Sequence, residues 1–150
     1  YDTIKKLPLG NASSSATLDK LLEKSDFVTL HVPETMETKD MMGKKQFGKM
    51  KRGAHLLNLS RGTVVVIDDL VEALKSGQLA GAAVDVFPVE PKSNKDQFDS
   101  PLQGVNNVIL TPHIGGSTQE AQEAIGHEVS ESLIKYIQRG ATTGAVNFPQ

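Results

Sequence analysis

The feature that most constrains this chain is a repeated alternation of short apolar runs with amphipathic stretches at helical spacing. Phe27 to His31, Ala54 to Leu59, Gly81 to Phe87 and Val108 to Thr111 are short, apolar and rich in branched or small residues, which predicts strands. Between them, Thr17 to Lys24 carries Leu18, Leu21 and Leu22 on one side, and Asp68 to Lys75 carries Leu70, Val71 and Leu74. Lys44 to Met50 is a shorter helical candidate. Ser117 to Tyr136 is the longest, with Ile125, Val129, Leu133, Tyr136 and Ile137 at helical intervals. Strands alternating with helices predict βαβ units, hence an α/β fold with a parallel, doubly wound sheet. Ala54 to Leu59 reads as a continuous apolar run, which predicts a strand covered on both faces.

In open sheets of this kind ligands sit beyond the carboxyl ends of the strands. That rule selects His31, Ser60 and Arg61, Asp85, and His113. Arg61, in Asn58-Leu59-Ser60-Arg61-Gly62-Thr63, offers a planar fork of donors suited to a carboxylate; a surface arginine in a turn has the same local sequence. Gly62 admits a close approach of the backbone. Asp85 ends an apolar run, where a carboxylate needs a donor, and a ligand amide is one candidate. Glu90 stands between Pro88 and Pro91 in a stiff loop, either orienting a histidine or facing solvent. His113 precedes Ile114, Gly115, Gly116 and a helix start at Ser117 or Thr118. It is placed either for acid–base work or for a structural role. His55, inside a strand, and His127, on a helix, read as structural. Lys44, Lys45, Lys49, Lys51 and Arg52 read as a solvated helix face, and Met41 and Met42 as packing.

Composition closes off other classes. A net charge of −2 offers nothing to draw nucleic acid or an anionic membrane. With no cysteine there is neither a disulfide nor a thiolate metal site, which suits the cytoplasm. No apolar run approaches the length of a membrane span, and no cluster of histidines and acids has metal-ligand spacing.

Taken together and in order, the segments around Arg61, Glu90 and His113 resemble the D-2-hydroxyacid dehydrogenase family. The resemblance covers nearly the whole chain. It implies a catalytic triad of Arg61, Glu90 and His113 and a Rossmann-like domain binding NAD. It also implies cofactor contacts at Asp2 (ribose), Leu59, Ser60, Arg61, Asp85 (nicotinamide carboxamide), His113, Ile114, Gly115 and Gly116. The reaction implied is reversible hydride transfer between a small 2-hydroxy acid and the nicotinamide ring. Pro112 to Ala121 and Ala145 to Pro149 look most like the branch that oxidises 3-phosphoglycerate in serine biosynthesis. Glyoxylate, hydroxypyruvate or lactate as substrate, or a non-catalytic NAD-sensing module, are the alternatives.

The same resemblance implies a cytoplasmic protein that works as a dimer or tetramer. It further implies that residues 1–116 form the C-terminal part of the NAD-binding domain and that 117–150 form a helix and tail crossing towards other domains. The glycine-rich G-x-G-x-x-G turn belongs about 20 residues before the ribose acid; with Asp2 at the chain start, this sequence is expected to be a fragment, inactive alone. Two positions depart from the family pattern. Leu59 stands where relatives often carry alanine or threonine, and Val66 where they usually carry an acid or amide before a helix. The expected consequences are a poorer cofactor fit and a missing helix cap.

Overall fold

A computed structural model describes residues 1–4, 10–93 and 95–145. The segment Val146 to Pro149, part of the resemblance noted above, lies outside the described residues. The chain divides into two units, Tyr1–Pro112 and His113–Gln150.

The first unit holds a sheet of four strands in the order β1 (Phe27–Leu30), β2 (Ala54–Asn58), β3 (Leu79–Val84) and β4 (Val108–Leu110). Every pair is parallel, as the alternation of strands and helices requires. Three helices connect or precede the strands: α1 (Leu18–Lys24), α2 (Lys44–Lys49) and α3 (Ile67–Lys75). The predicted elements are all present, with ends displaced by at most three residues.

Register sorts the side chains into lateral rows. Val28, Leu56, Ala82 and Val108 are in-register neighbours, as are Leu30, Asn58, Val84 and Leu110. These rows meet Leu22 of α1, Phe47 of α2 and Leu70, Ala73 and Leu74 of α3 in one apolar core. The opposite rows are Phe27, His55 and Gly81, then Thr29, Leu57, Ala83 and Ile109. Here Phe27 is 68% and Ile109 66% exposed. The expectation that β2 is covered on both faces is therefore corrected. Within the described residues its burial alternates, because all three helices pack on one side. On the open face the Phe27 and His55 rings stack, with centroids 4.8 Å apart. Gly81 makes room for them: a Cβ there would lie 3.1 Å from the imidazole of His55.

The helix ends follow from local chemistry. Thr17 caps α1 by accepting from the Lys20 amide at 3.2 Å. α3 begins after Val66, which has no side chain able to cap, as the departure at that position predicts. Asp68 and Asp69 in its first turn still complement the helix dipole. The basic residues near α2 pair with acids: Lys44 with Glu72, Lys49 with Asp19 and Lys51 with Asp26.

The second unit is built on α4 (Gln119–Arg139), capped by Thr118 at its start and by Gly140 in the left-handed region (φ 62°) at its end. Of its 21 residues none is buried, and Ile125, Val129, Leu133, Tyr136 and Ile137 are all about half exposed or more.

Candidate active site

The carboxyl ends of the strands present the predicted groups one after another. β2 ends at Asn58, one residue earlier than expected, and the chain then turns through Leu59, Ser60 and Arg61 into a 3₁₀ turn at Gly62–Val64. The turn is organised by Asn58, a fully buried polar residue. Its Nδ2 donates to the carbonyl of Arg61 at 3.0 Å, and its Oδ1 accepts from the Ser60 amide (3.2 Å) and hydroxyl (3.0 Å). Arg61 is exposed, with Nη1 donating to the Ser60 carbonyl at 2.6 Å. Leu59 projects outward, 54% exposed.

At the end of β3, Asp85 is half-buried, and its amide donates to the Asn58 carbonyl at 3.0 Å. Its carboxylate accepts from the Thr111 hydroxyl, which stands just past β4. So the donor that a carboxylate at this position needs comes at least partly from the protein. Val86 and Phe87 then turn inward, and Phe87 packs edge-on against Phe98 with ring centroids 4.6 Å apart. This anchors the loop from which Glu90 projects. One carboxylate oxygen of Glu90 accepts from the Phe87 amide at 2.9 Å, so the acid is oriented by its own loop.

Gly62 joins these two loops. A Cβ on it would lie 2.0 Å from the Phe87 carbonyl carbon and 2.5 Å from the Pro88 nitrogen, so the backbones are in direct contact. The loop after β1 is tied to the same segment. Asp40 donates its amide to the Thr63 carbonyl and Met42 to the Val64 carbonyl, at 2.9 and 3.0 Å. His31, at the head of that loop, is exposed and bonds Thr29 through its ring at 3.1 Å.

His113 opens the second unit, two residues beyond Thr111 in sequence. It is exposed and adopts the left-handed conformation (φ 52°), which a non-glycine residue holds only at a cost of order 1 kcal/mol. Ile114 is 53% exposed, and nothing lies within 4 Å of where a side chain on Gly115 or Gly116 would stand. That stretch of backbone is open to a ligand.

Residues Tyr1 to Ile4 belong to no strand, and the Asp2 carboxylate accepts from the Ile4 amide at 3.0 Å.

Asp85, Arg61 and Glu90 thus share one edge of one unit. Sequence reasoning singled them out but gave Asn58 no role, and it took Gly62 only as a place for close approach. The available signal was an amide side chain at the end of an otherwise apolar run. Among the described residues no group of histidines and acids is arranged to hold a metal ion, and no helix is long and apolar enough to cross a membrane.

Comparison with known proteins agrees with this fold. Residues 4–115 match the family model described as D-isomer specific 2-hydroxyacid dehydrogenase, NAD binding domain. The whole chain is 60% identical to D-3-phosphoglycerate dehydrogenase of Escherichia coli, of which it spans 37% of the length. Among solved structures, a D-lactate dehydrogenase from Sporolactobacillus superposes with a TM-score of 0.75 at 30% identity, covering 93% of this chain and 45% of that one. An NAD-dependent formate dehydrogenase from Staphylococcus aureus, in complex with NAD, does so with a TM-score of 0.66 at 34% identity, covering 84% and 37%. With the parallel sheet and the family match in agreement, this chain belongs to the D-isomer specific 2-hydroxyacid dehydrogenases, and residues 4–115 lie in their NAD-binding domain.

Proposed function

We propose that the full-length protein oxidises 3-phosphoglycerate to 3-phosphohydroxypyruvate, with NAD as hydride acceptor, at the first step of serine biosynthesis. The observation that carries the substrate is the 60% identity, over all 150 residues, to a relative named for that activity. The fold alone would not choose it, since the structural relatives include enzymes named for lactate and for formate.

The residues present suit the nicotinamide end of the cofactor. Asp85, an acceptor just past the end of β3, takes a carboxamide hydrogen bond in this reading. Leu59 and Arg61, and His113 to Gly116, offer exposed positions to the cofactor. When bound, NAD supplies the carbon that accepts the hydride from C2. The chain's own groups do the rest. Arg61 binds the substrate carboxylate through its guanidinium, which first exchanges its bond to the Ser60 carbonyl for the ligand. The imidazole of His113 takes the C2 hydroxyl proton as the hydride leaves, and returns it to the carbonyl oxygen in the reverse direction. Glu90 holds that imidazole in its working tautomer and supports its charged form. Asp2 bonds the ribose hydroxyls, and its charge favours NAD over a 2′-phosphorylated cofactor.

NADH formation by the full-length protein with 3-phosphoglycerate, D-lactate and D-glycerate in parallel tests this reading. Turnover confined to the phosphorylated acid is the expected result. Turnover only with the other two keeps the family and rejects the substrate. NAD binding without any turnover would make the protein a sensor. Replacing His113 with alanine should lower kcat by about 10²–10⁴-fold, and an unchanged kcat removes His113 from the mechanism.

A further inference from the structure

Arg61 is gripped on both sides by groups with no assigned role. On its N-terminal side stands Asn58. This carboxamide lies in a row of apolar residues, between Leu30 and Val84, and is 0% exposed. A buried amide left without partners costs about 1–3 kcal/mol, and a leucine would fill such a row without that demand. All three hydrogen bonds of the Asn58 side chain run forward, two to Ser60 and one to the Arg61 carbonyl. They close the turn that leads to Arg61, in the way a short amide side chain replaces backbone in a turn. On the C-terminal side stands Gly62, whose missing Cβ would fall 2.0–2.5 Å from the backbone of Phe87 and Pro88. The Phe87 amide in turn holds Glu90 at 2.9 Å. The contacts therefore run without interruption from Asn58 through Arg61 and Gly62 to Phe87 and Glu90.

We infer that Asn58 and Gly62 are positioning residues: they fix the Arg61 backbone against the loop that carries Glu90, so that the guanidinium that binds the substrate and the carboxylate that orients the base are held in one fixed relation. The inference rests on the roles proposed above for Arg61 and Glu90. It deepens them by naming what holds the two groups together.

The test uses steady-state kinetics of the full-length protein with 3-phosphoglycerate and NAD. Asn58→Asp keeps the oxygen that Ser60 bonds but turns a second oxygen, in place of the NH₂ group, towards the Arg61 carbonyl. It is expected to raise KM for 3-phosphoglycerate by about tenfold, the loss of one buried hydrogen bond, with KM for NAD changed less than about twofold. In an Arg61→Ala background the same change should add nothing further, because a positioning residue acts only through the group it positions. Gly62→Ala must push the two loops apart and should lower kcat/KM by about 100-fold. Ser60→Ala deletes one bond to Asn58 and keeps the amide contact; it supplies a milder, foldable member of the series, with a smaller rise in the same KM.

Equal changes in both KM values, or the same additional loss once Arg61 is gone, would make Asn58 a structural residue only and overturn the inference. If Arg61→Ala itself leaves KM for 3-phosphoglycerate unchanged, the proposed role of Arg61 fails and the inference falls with it. That outcome is distinct from the failure of Asn58 alone.

Discussion

Leu56 and Leu57 are neighbours in β2 and chemically the same, yet they lead different lives. Leu56 is 0% exposed, enclosed by the residues of α1, α2 and α3, whereas Leu57 lies on the open face beside Thr29 and Ala83. The two faces of the sheet are alike in sequence character and unlike in what packs on them. An apolar residue contributes to stability only when something removes it from water, so composition alone cannot rank the two.

The most direct way to break this comparison is Leu56→Ala, which should destabilise the chain by about 2–5 kcal/mol, measured by urea unfolding. A loss below 1 kcal/mol would mean that the covered face is loosely packed. Next comes Val66→Thr at the head of α3, the helix that helps to enclose Leu56. It keeps the branched shape and adds the hydroxyl that Val66 lacks, for an expected gain of about 0.5–2 kcal/mol. No gain would mean that the first turn of α3 is already satisfied by other donors or by water.

Leu57→Ala should cost less than about 1 kcal/mol in the same assay. Repeating it in the full-length protein sharpens the contrast: a cost approaching that of Leu56→Ala would show the open face covered there. The smallest effect belongs to Lys44→Gln, an exposed residue at the start of α2. The hydrogen bond to Glu72, and then its charge, raise the pKa of Lys44. A raised lysine stabilises fully below its ordinary pKa and loses that contribution as pH climbs through the raised one. The pair is largely exposed, with Nζ 2.9 Å from Glu72. No measurable change in Tm is therefore expected at neutral pH, nor any new pH dependence until strongly alkaline conditions. A clear drop at neutral pH would show that the α2–α3 surface does more than surface pairs usually do.

Much of the first unit was legible in the residues. Alternating apolar runs and helical stripes announce a parallel sheet, and the strand-end rule points to Arg61 and Asp85 before any coordinate is known. Val66 announced an uncapped helix, and α3 begins without a side-chain cap. What could not be read has physical causes. The run from Ala54 to Leu59 suggested cover on both faces because apolarity records a demand for partners, not their presence. The role of Asn58 stayed hidden because its three bonds depend on the path of the backbone after the strand. The contact at Gly62 depends on a loop more than twenty positions away.

The stacked row on the open face has a spectroscopic consequence. At Gly81 the hydrogen occupying the place of a side chain points at the imidazole of His55, 3.1 Å from where a Cβ would stand. That proton lies in the magnetic shadow of an aromatic ring and should resonate well away from the usual glycine range. Any partner that settles on this face and tilts the His55 ring would move that single, well-resolved resonance. Gly81 would thus report, in an otherwise crowded spectrum, whether the sheet has found its second cover.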